Sequence, residues 1–443
     1  MTNTGILEYA RGVMDKCRAH DVIPEELYIN NHVYRGLRDV NGKGVITGIT
    51  NVSCVQAYED RDGEQVPCDG KLWYRGMLVQ DVIDKAKGGF AFEPTAYYLL
   101  TGEYPDGDVC AEFCRTLAFL RRLPKNFVRD VIMKAPTEDI MNNMMRSILT
   151  LASYDRSSSS QEDILVQCLR LIAQFPALAV YAYNAYVYYN KHKSMILHAP
   201  KAEYSTAQNI LRMIRVDKSF TPLEAAALDI ALVLHMDHGG GNNSTFTTRV
   251  VTSAGSDTYA TIAAAMASLK GYRHGGANIR VVEMMADMEK TVGDISDKDA
   301  IRTYLSDILE KKAFDGTGLI YGMGHAIYSV SDPREKLLRV FAENLAEEKG
   351  LSDRFAFYET VAQEAIELIY DKRKIYKGVC PNVDFYSGFV YEMLGIPREL
   401  FTPMFAVARV AGWCAHRIEE LIGGGRIIRP GYLNYIGNGM VRM

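Results

Sequence analysis

Helical patterns of apolar and polar positions dominate this chain, and strand-like stretches are confined to its N-terminal part. Residues 42–58 (GKGVITGITNVSCVQAY) are rich in β-branched side chains and run into the turn-forming EDRDGEQ. That combination predicts a short N-terminal β-hairpin. LWYRGM at 72–77 then leads into a helical region. Further along, caps mark several helix starts. Thr221-Pro222-Leu223-Glu224 is a capping box with proline at the first helical position. Its Ala/Leu-rich helix is expected to stop at the glycine triplet 239–241. Ser256 and Asp257 open a helix that Gly271 ends, and Asp332-Pro333 opens a charged amphipathic helix reaching about Glu348. Thr402-Pro403 opens another that ends at glycines 423–425.

Two of these helices, 224–234 and 259–269, have little polar surface, and the aromatic stretch 175–189 shares that character. Helices apolar on most sides are buried inside a large protein or in a subunit interface. The pattern therefore predicts an all-α protein with a buried core and a helical dimer interface. The 443 residues leave room for two or three domains. A formal net charge of −4 marks no nucleic-acid surface. No apolar run approaches the ~20 residues of a membrane span; the best, 175–189, is broken by Asn184. The start, MTNTGILEYARG, fits neither a secretion signal nor a transit peptide. Eight scattered cysteines read as reduced structural thiols. The expected location is the cytoplasm.

Four short islands in the C-terminal half hold the candidate chemistry: HMDHGGGN at 235–242, RHGGAN at 273–278, GMGHAIYSVSDPR at 322–334 and PNVDFYSG at 381–388. Arg409 and Arg429 follow them. His235 and His238 close a helix, where free carbonyls and the dipole favour histidine. Three readings are open for them: helix-end structure, a metal site with Asp237, or, for His238, a donor to a bound anion. His274 lies between two helices, and an imidazole facing a helix start is held neutral, able to donate to a developing enolate oxygen. His325 sits in a glycine-spaced loop nine residues before Arg334. Arg334 falls in the first turn of a helix, where the dipole opposes a cation; Glu335 or a bound carboxylate would offset this. Asp384 is an N-cap or first-turn aspartate, or a general base that arginines keep ionised. Arg409 lies in the apolar run FAVARVAGW with no acid within a turn, so its partner is distant in sequence or is a ligand.

The blocks LHMDHGGGNNSTF, SDTYATIAAAMASLKGYRHGGAN, GMGHAIYSVSDPR, PNVDFYSGFVYEMLGIPRELFTPMFAVARVAGW and RPGYLNYIG, in that order, resemble those of the citrate synthase family. LWYRG resembles a segment nearer its start. The resemblance implies that family's nearly all-helical fold in an obligate homodimer. A large domain (1–278 and 393–443) would carry an inserted small domain (279–392), with hinges at Gly275-Gly276 and at 395–397. It implies condensation of acetyl-CoA with oxaloacetate, then hydrolysis of citryl-CoA to citrate and CoA. Asp384 matches the base that deprotonates the acetyl methyl group, His274 the neutral donor to the enolate, and His325 the residue that polarises the oxaloacetate carbonyl. His238, Arg334 and Arg409 match the carboxylate-binding residues, and Arg429 an arginine supplied by the other subunit. No metal or other cofactor is implied.

This chain departs from the pattern where many members carry basic residues just after the loop histidine: here Ala326, Ile327, Tyr328 and Ser329 follow. Lys311 and Lys312 are the alternative candidates for the CoA phosphates. A 2-methylcitrate synthase using propionyl-CoA is the neighbouring reading, since one methylene in an apolar pocket is worth only ~1–3 kcal/mol. A metal-dependent hydrolase built on His235, Asp237 and His238, and a silent helical scaffold, are the readings from other classes.

Overall fold

Caps written in the sequence set where many of the helices begin. Asp106, Ser160, Ser205, Thr221, Asp257 and Asp297 each accept a hydrogen bond from a backbone N–H three residues on, satisfying donors that the first helical turn leaves open. Ser205 with Gln208 and Thr221 with Glu224 complete reciprocal capping boxes. In the computed structural model, residues 3–39, 44–156, 160–373, 378–436 and 440–442 are described. The chain divides into two units, Thr50–Ile427 and Met1–Ile49 with Ile428–Met443. The smaller unit holds helices Asn3–Asp21 and Glu25–Asn30 and a short antiparallel strand pair, Asn434–Ile436 with Met440–Arg442.

The larger unit is built round helix Phe401–Ile422, buried almost throughout its length from Phe401 to Arg417. It packs against helices Phe92–Thr101, Gln161–Lys191, Pro222–His235, Asn243–Ser253 and Thr258–Lys270. Gln161–Lys191 is long and apolar enough to cross a bilayer by length and composition, which the broken run at 175–189 did not anticipate. Most of that stretch is buried inside the protein, from Gln167 to Tyr186. It is a core helix. The Ala-rich helices Pro222–His235 and Thr258–Lys270 are buried in the same core, as their lack of polar faces predicts.

The N-terminal strand signal resolves into three antiparallel strands, β1 (Ser53–Arg61), β2 (Glu64–Tyr74) and β3 (Met77–Leu78). Asp62 and Gly63, both at positive φ, make the tight turn between β1 and β2, as a type I′ hairpin requires. The strand starts later than the β-branched stretch, since 44–52 forms no strand; residues 40–43 lie outside the described residues. LWYRGM likewise closes β2 and turns into β3 before helix Val79–Lys85 begins.

Other boundaries moved for physical reasons. Helix Pro222–His235 ends four residues before Gly239, because Asp237 is drawn aside by Ser53 and His416. Helix Asn243–Ser253 has the sequence NSTFTTRVVTS, whose β-branched and hydroxyl side chains give little helical signal. The last core helix starts at Phe401, a residue ahead of Thr402, after a 3₁₀ turn over Arg398–Leu400. All eight cysteines are free thiols.

Gly412, midway along the central helix, is where its backbone meets the end of Pro222–His235. A Cβ there would collide with the Met236 carbonyl oxygen and the Asp237 carboxylate. Gly412→Ala is therefore expected to destabilise the protein by about 1–3 kcal/mol, the usual cost of overpacking. Thermal melting of the variant beside wild type measures it, and an unchanged melting temperature would refute the close approach.

Candidate active site

Helix termini and one loop bring the island residues of the larger unit together. His238 follows the end of Pro222–His235, and its ring meets that of His325 edge to face, with centroids 5.1 Å apart. His325 lies in the loop before helix Pro333–Lys349, and its Nε2 is 3.4 Å from the Arg334 guanidinium. Arg409 projects from the central helix and donates through Nε to the His235 carbonyl at 2.7 Å. Asp384 is in the first turn of Val383–Met393, and Arg334 and Arg409 both act on its charge. Arg409 also acts on His274, which precedes helix Ala277–Val292.

The site imidazoles are held neutral. Burial, then Arg334, pushes His325 down to about 4 and His238 well below its ordinary value. Burial, then Arg409, lowers His274 to about 4; the cause is desolvation and a cation rather than the helix start. Hydrogen bonds orient the rings. His325 Nδ1 accepts from the backbone N–H groups of Ile327 (3.0 Å) and Tyr328 (3.3 Å), which leaves Nε2 as the protonated nitrogen facing the site, so its 3.4 Å approach to the donor-only Arg334 guanidinium is a contact rather than a hydrogen bond. His274 Nε2 is 3.0 Å from Ser244 Oγ, and Trp413 Nε1 donates to the same oxygen at 3.1 Å; a Ser244 hydroxyl turned toward Nε2 leaves the ring hydrogen on Nδ1.

Asp384 behaves differently from the expectation that arginines dominate it. Burial raises its pKa to about 6 against the opposing pull of Arg334 and Arg409. Its carboxylate takes no hydrogen bond among the described residues. The N-cap of its helix is Asn382, whose side chain accepts from Asp384 N at 2.9 Å. A carboxylate left unbonded and moderately basic suits proton abstraction.

Arg334 and Arg409 differ in what compensates them. Arg334 is buried and paired with Asp332, through Nε at 3.0 Å and NH2 at 2.8 Å. Glu335 is not its partner: burial lifts Glu335 to about 7, and its nearest cation is Arg339 at 3.9 Å. Arg409 is fully buried, and its NH1 and NH2 have no hydrogen-bond partner among the described residues. Burial lowers its pKa to about 10, so it is still a cation at neutral pH. A desolvated guanidinium with two open nitrogens is costly unless an anion fills the place.

Three further residues shape the site without a sequence signal of their own. Tyr328, buried, stacks on His325 (4.9 Å, 27°), and its Oη is 3.3 Å from His238 Nε2. The tyrosine and its neighbours are backed by β2: Tyr328 Oη donates to the Lys71 carbonyl at 3.4 Å, and Ser331 Oγ to Asp69 at 2.6 Å. Asp332 was legible only as a helix cap. Ser244 belongs to the helix whose signal was weak. The remaining islands separate. His235 Nδ1 faces the Ala231 carbonyl at 2.7 Å, Asp237 is taken by Ser53 and His416, and His238 by Tyr328, so these three do not converge as a metal triad. No group of three or more such side chains suited to a metal occurs among the described residues. Lys311 and Lys312 are exposed after helix Lys298–Leu309, with Lys312 Nζ 2.6 Å from Glu310. Arg429 is exposed in the smaller unit.

Comparison with known proteins bears on this arrangement. The family described as "Citrate synthase, C-terminal domain" matches residues 40–431. A citrate synthase of Deinococcus radiodurans is 36% identical over 368 residues, covering 82% of this chain and 89% of that protein. A 2-methylcitrate synthase of Shewanella oneidensis is 33% identical over 369 residues, covering 83% and 88%. The structure of Thermoplasma acidophilum citrate synthase, a ternary complex with carboxymethyl coenzyme A and oxaloacetate, superposes with a TM-score of 0.71. It shares 26% identity and covers 90% of this chain and 94% of that one.

The raised Asp384 has a consequence for stability. A carboxyl whose pKa is higher folded than unfolded weakens the fold as pH climbs from about 4 to about 6, and the cost persists above that range. Asp384→Asn, which mimics the protonated form, is expected to melt higher than wild type at pH 7 and to match it near pH 4. Equal melting temperatures at pH 7 would mean that the carboxyl is not perturbed.

Proposed function

The chain belongs to the citrate synthase family, and from that premise we propose that it condenses acetyl-CoA with oxaloacetate and water to give citrate and CoA. The observation that carries the reading is Arg409, a buried cation with two open nitrogens, next to neutral imidazoles and an unbonded carboxylate. That combination suits a small dianion and a carbon acid at one site. The ligands named for the Thermoplasma acidophilum complex agree with it.

In the proposed mechanism, Asp384 removes a proton from the thioester methyl group, and its pKa of about 6 leaves it mostly ionised at neutral pH while still basic. His274 donates to the thioester oxygen as the enolate forms. It can do so without becoming charged, and one such donor is worth about 2.7–4 kcal/mol. His325 Nε2–H polarises the oxaloacetate carbonyl and protonates the alkoxide that results, and water then hydrolyses the citryl-CoA thioester, its oxygen going to the new carboxylate and the thiol leaving as CoA. His238, Arg334 and Arg409 hold the carboxylates. Arg334 reaches with NH1, which makes no hydrogen bond among the described residues, while Asp332 keeps its other edge. Arginines and imidazoles thus supply the electrostatics, and the mechanism calls for no metal or other cofactor.

The wider assembly belongs to the same proposal. Residues 279–392 form a small domain inserted between 1–278 and 393–443, and its closure excludes water. The protein is a cytoplasmic homodimer in which Arg429 completes the partner's site. Lys311 and Lys312 bind the CoA phosphates, for which Lys312 must leave Glu310. A second reading, 2-methylcitrate synthase, is favoured by the Shewanella oneidensis relative, whose identity is nearly as high.

Loss of thioester absorbance with oxaloacetate and either acetyl-CoA or propionyl-CoA tests both readings. Faster turnover of acetyl-CoA is expected, and a preference for propionyl-CoA moves the assignment. Asp384→Ala and His274→Ala should each lower kcat by about 10²–10³ or more while oxaloacetate still binds. For wild type, kcat/KM should fall as pH drops through about 6 and Asp384 gains its proton. Full activity in both variants would remove the proposed roles.

A further inference from the structure

Asp237 lies between His235 and His238 with no solvent exposure. Burial alone would raise its pKa, but His416, Arg409 and Ser53 hold it below the ordinary carboxylate range, so it is ionised. Its Oδ2 is addressed by Ser53 Oγ and by His416 Nε2, the latter at 2.9 Å. His416 Nδ1 in turn faces the Arg249 guanidinium at 2.7 Å. Arginine only donates, so Nδ1 accepts, and Nε2 carries the hydrogen that goes to Asp237.

The charge that Asp237 answers is Arg409. Among the charges acting on Arg409, Asp237 is the strongest that favours its cationic form. Yet the two do not touch by hydrogen bond: Arg409 NH1 and NH2 and Asp237 Oδ1 are all buried without a hydrogen-bond partner among the described residues. Ser53 and His416 tether one carboxylate oxygen, and Gly412, three residues along the same helix from Arg409, packs against the other. The carboxylate is close enough to lower the cost of the guanidinium and is held back from occupying its N–H groups.

We propose that Asp237 is a positioning residue for oxaloacetate: a tethered counter-ion that offsets the cost of the buried Arg409 charge while Ser53 and His416 hold it off the guanidinium, leaving both open nitrogens for a substrate carboxylate. The inference rests on the reading of Arg409 as a carboxylate site. It sets affinity by two opposed effects. The negative charge repels the incoming dianion, and the tether prevents the same charge from sealing Arg409 in a direct ion pair.

The two effects separate in calorimetric titration of the intact protein with oxaloacetate. Asp237→Asn keeps an oxygen for Ser53 and His416 and removes the charge, so oxaloacetate should bind more tightly, by about fivefold. Ser53→Ala keeps the charge and loosens the tether, letting Asp237 swing to Arg409, so binding should weaken by a similar factor. Mere structural damage would weaken binding in both, as would loss of the Ser53 bond to Gly239 N (2.9 Å) in the second. Unchanged or weaker binding by Asp237→Asn overturns the proposal. Should that variant not fold, unchanged or tighter binding by Ser53→Ala does so. Arg409→Gln is the control: if it binds oxaloacetate like wild type, the carboxylate-site reading itself fails. If it loses binding while the other two variants do not move in opposite directions, only the counter-ion fails.

Discussion

A guanidinium taken fully out of water is among the more costly groups a fold can hold, and Arg409 is held without a hydrogen-bonded anion. Much of the larger unit can be understood as making that tolerable. The central helix carrying Arg409 is buried among the other core helices, so the residue has no route by which to snorkel to the surface. Its Nε is satisfied by the end of a second helix, through the His235 carbonyl. Its charge is answered at a distance by Asp237, which is itself fixed by β1 through Ser53 and by the central helix through His416. The cation, in turn, helps keep the neighbouring imidazoles neutral.

The second buried arginine follows another rule. Arg334 is neutralised by Asp332 two residues earlier, and the same carboxylate caps the helix on which Arg334 stands. One acidic side chain thereby answers both the open N–H of the first turn and a cation that the helix dipole disfavours there. The contrast places a compensated arginine and an open one round the same imidazoles. Asp384, between them, is set by burial more than by either.

The parts of this arrangement that the sequence made legible are those set by local rules. The capping box at Thr221, the glycine after Lys270 and the Asp-Gly hairpin turn depend on a few adjacent residues. The buried Ala-rich helices and the isolated Arg409 were legible from patterning. What could not be read is whatever depends on distant partners. Asp237 ends its helix early because Ser53, far off in the chain, pulls on it. Asp332 rather than Glu335 pairs with Arg334, a choice made by how the chain turns before the helix. Helix Asn243–Ser253 forms against its own residue preferences because tertiary packing beside the central helix outweighs them.

Tyr328 carries a different lesson. Its hydroxyl sits 3.3 Å from His238 Nε2, so that imidazole already has an oxygen partner before any ligand arrives. A ligand oxygen that reaches His238 exchanges one hydrogen bond for another, and a ligand lacking that oxygen leaves the phenol where it was. Selectivity is sharp where a missing group strands a buried donor, and shallow where the protein can fill the gap itself. The protein is therefore lenient at His238 and exacting at Arg409, where no side chain among the described residues takes the ligand's place.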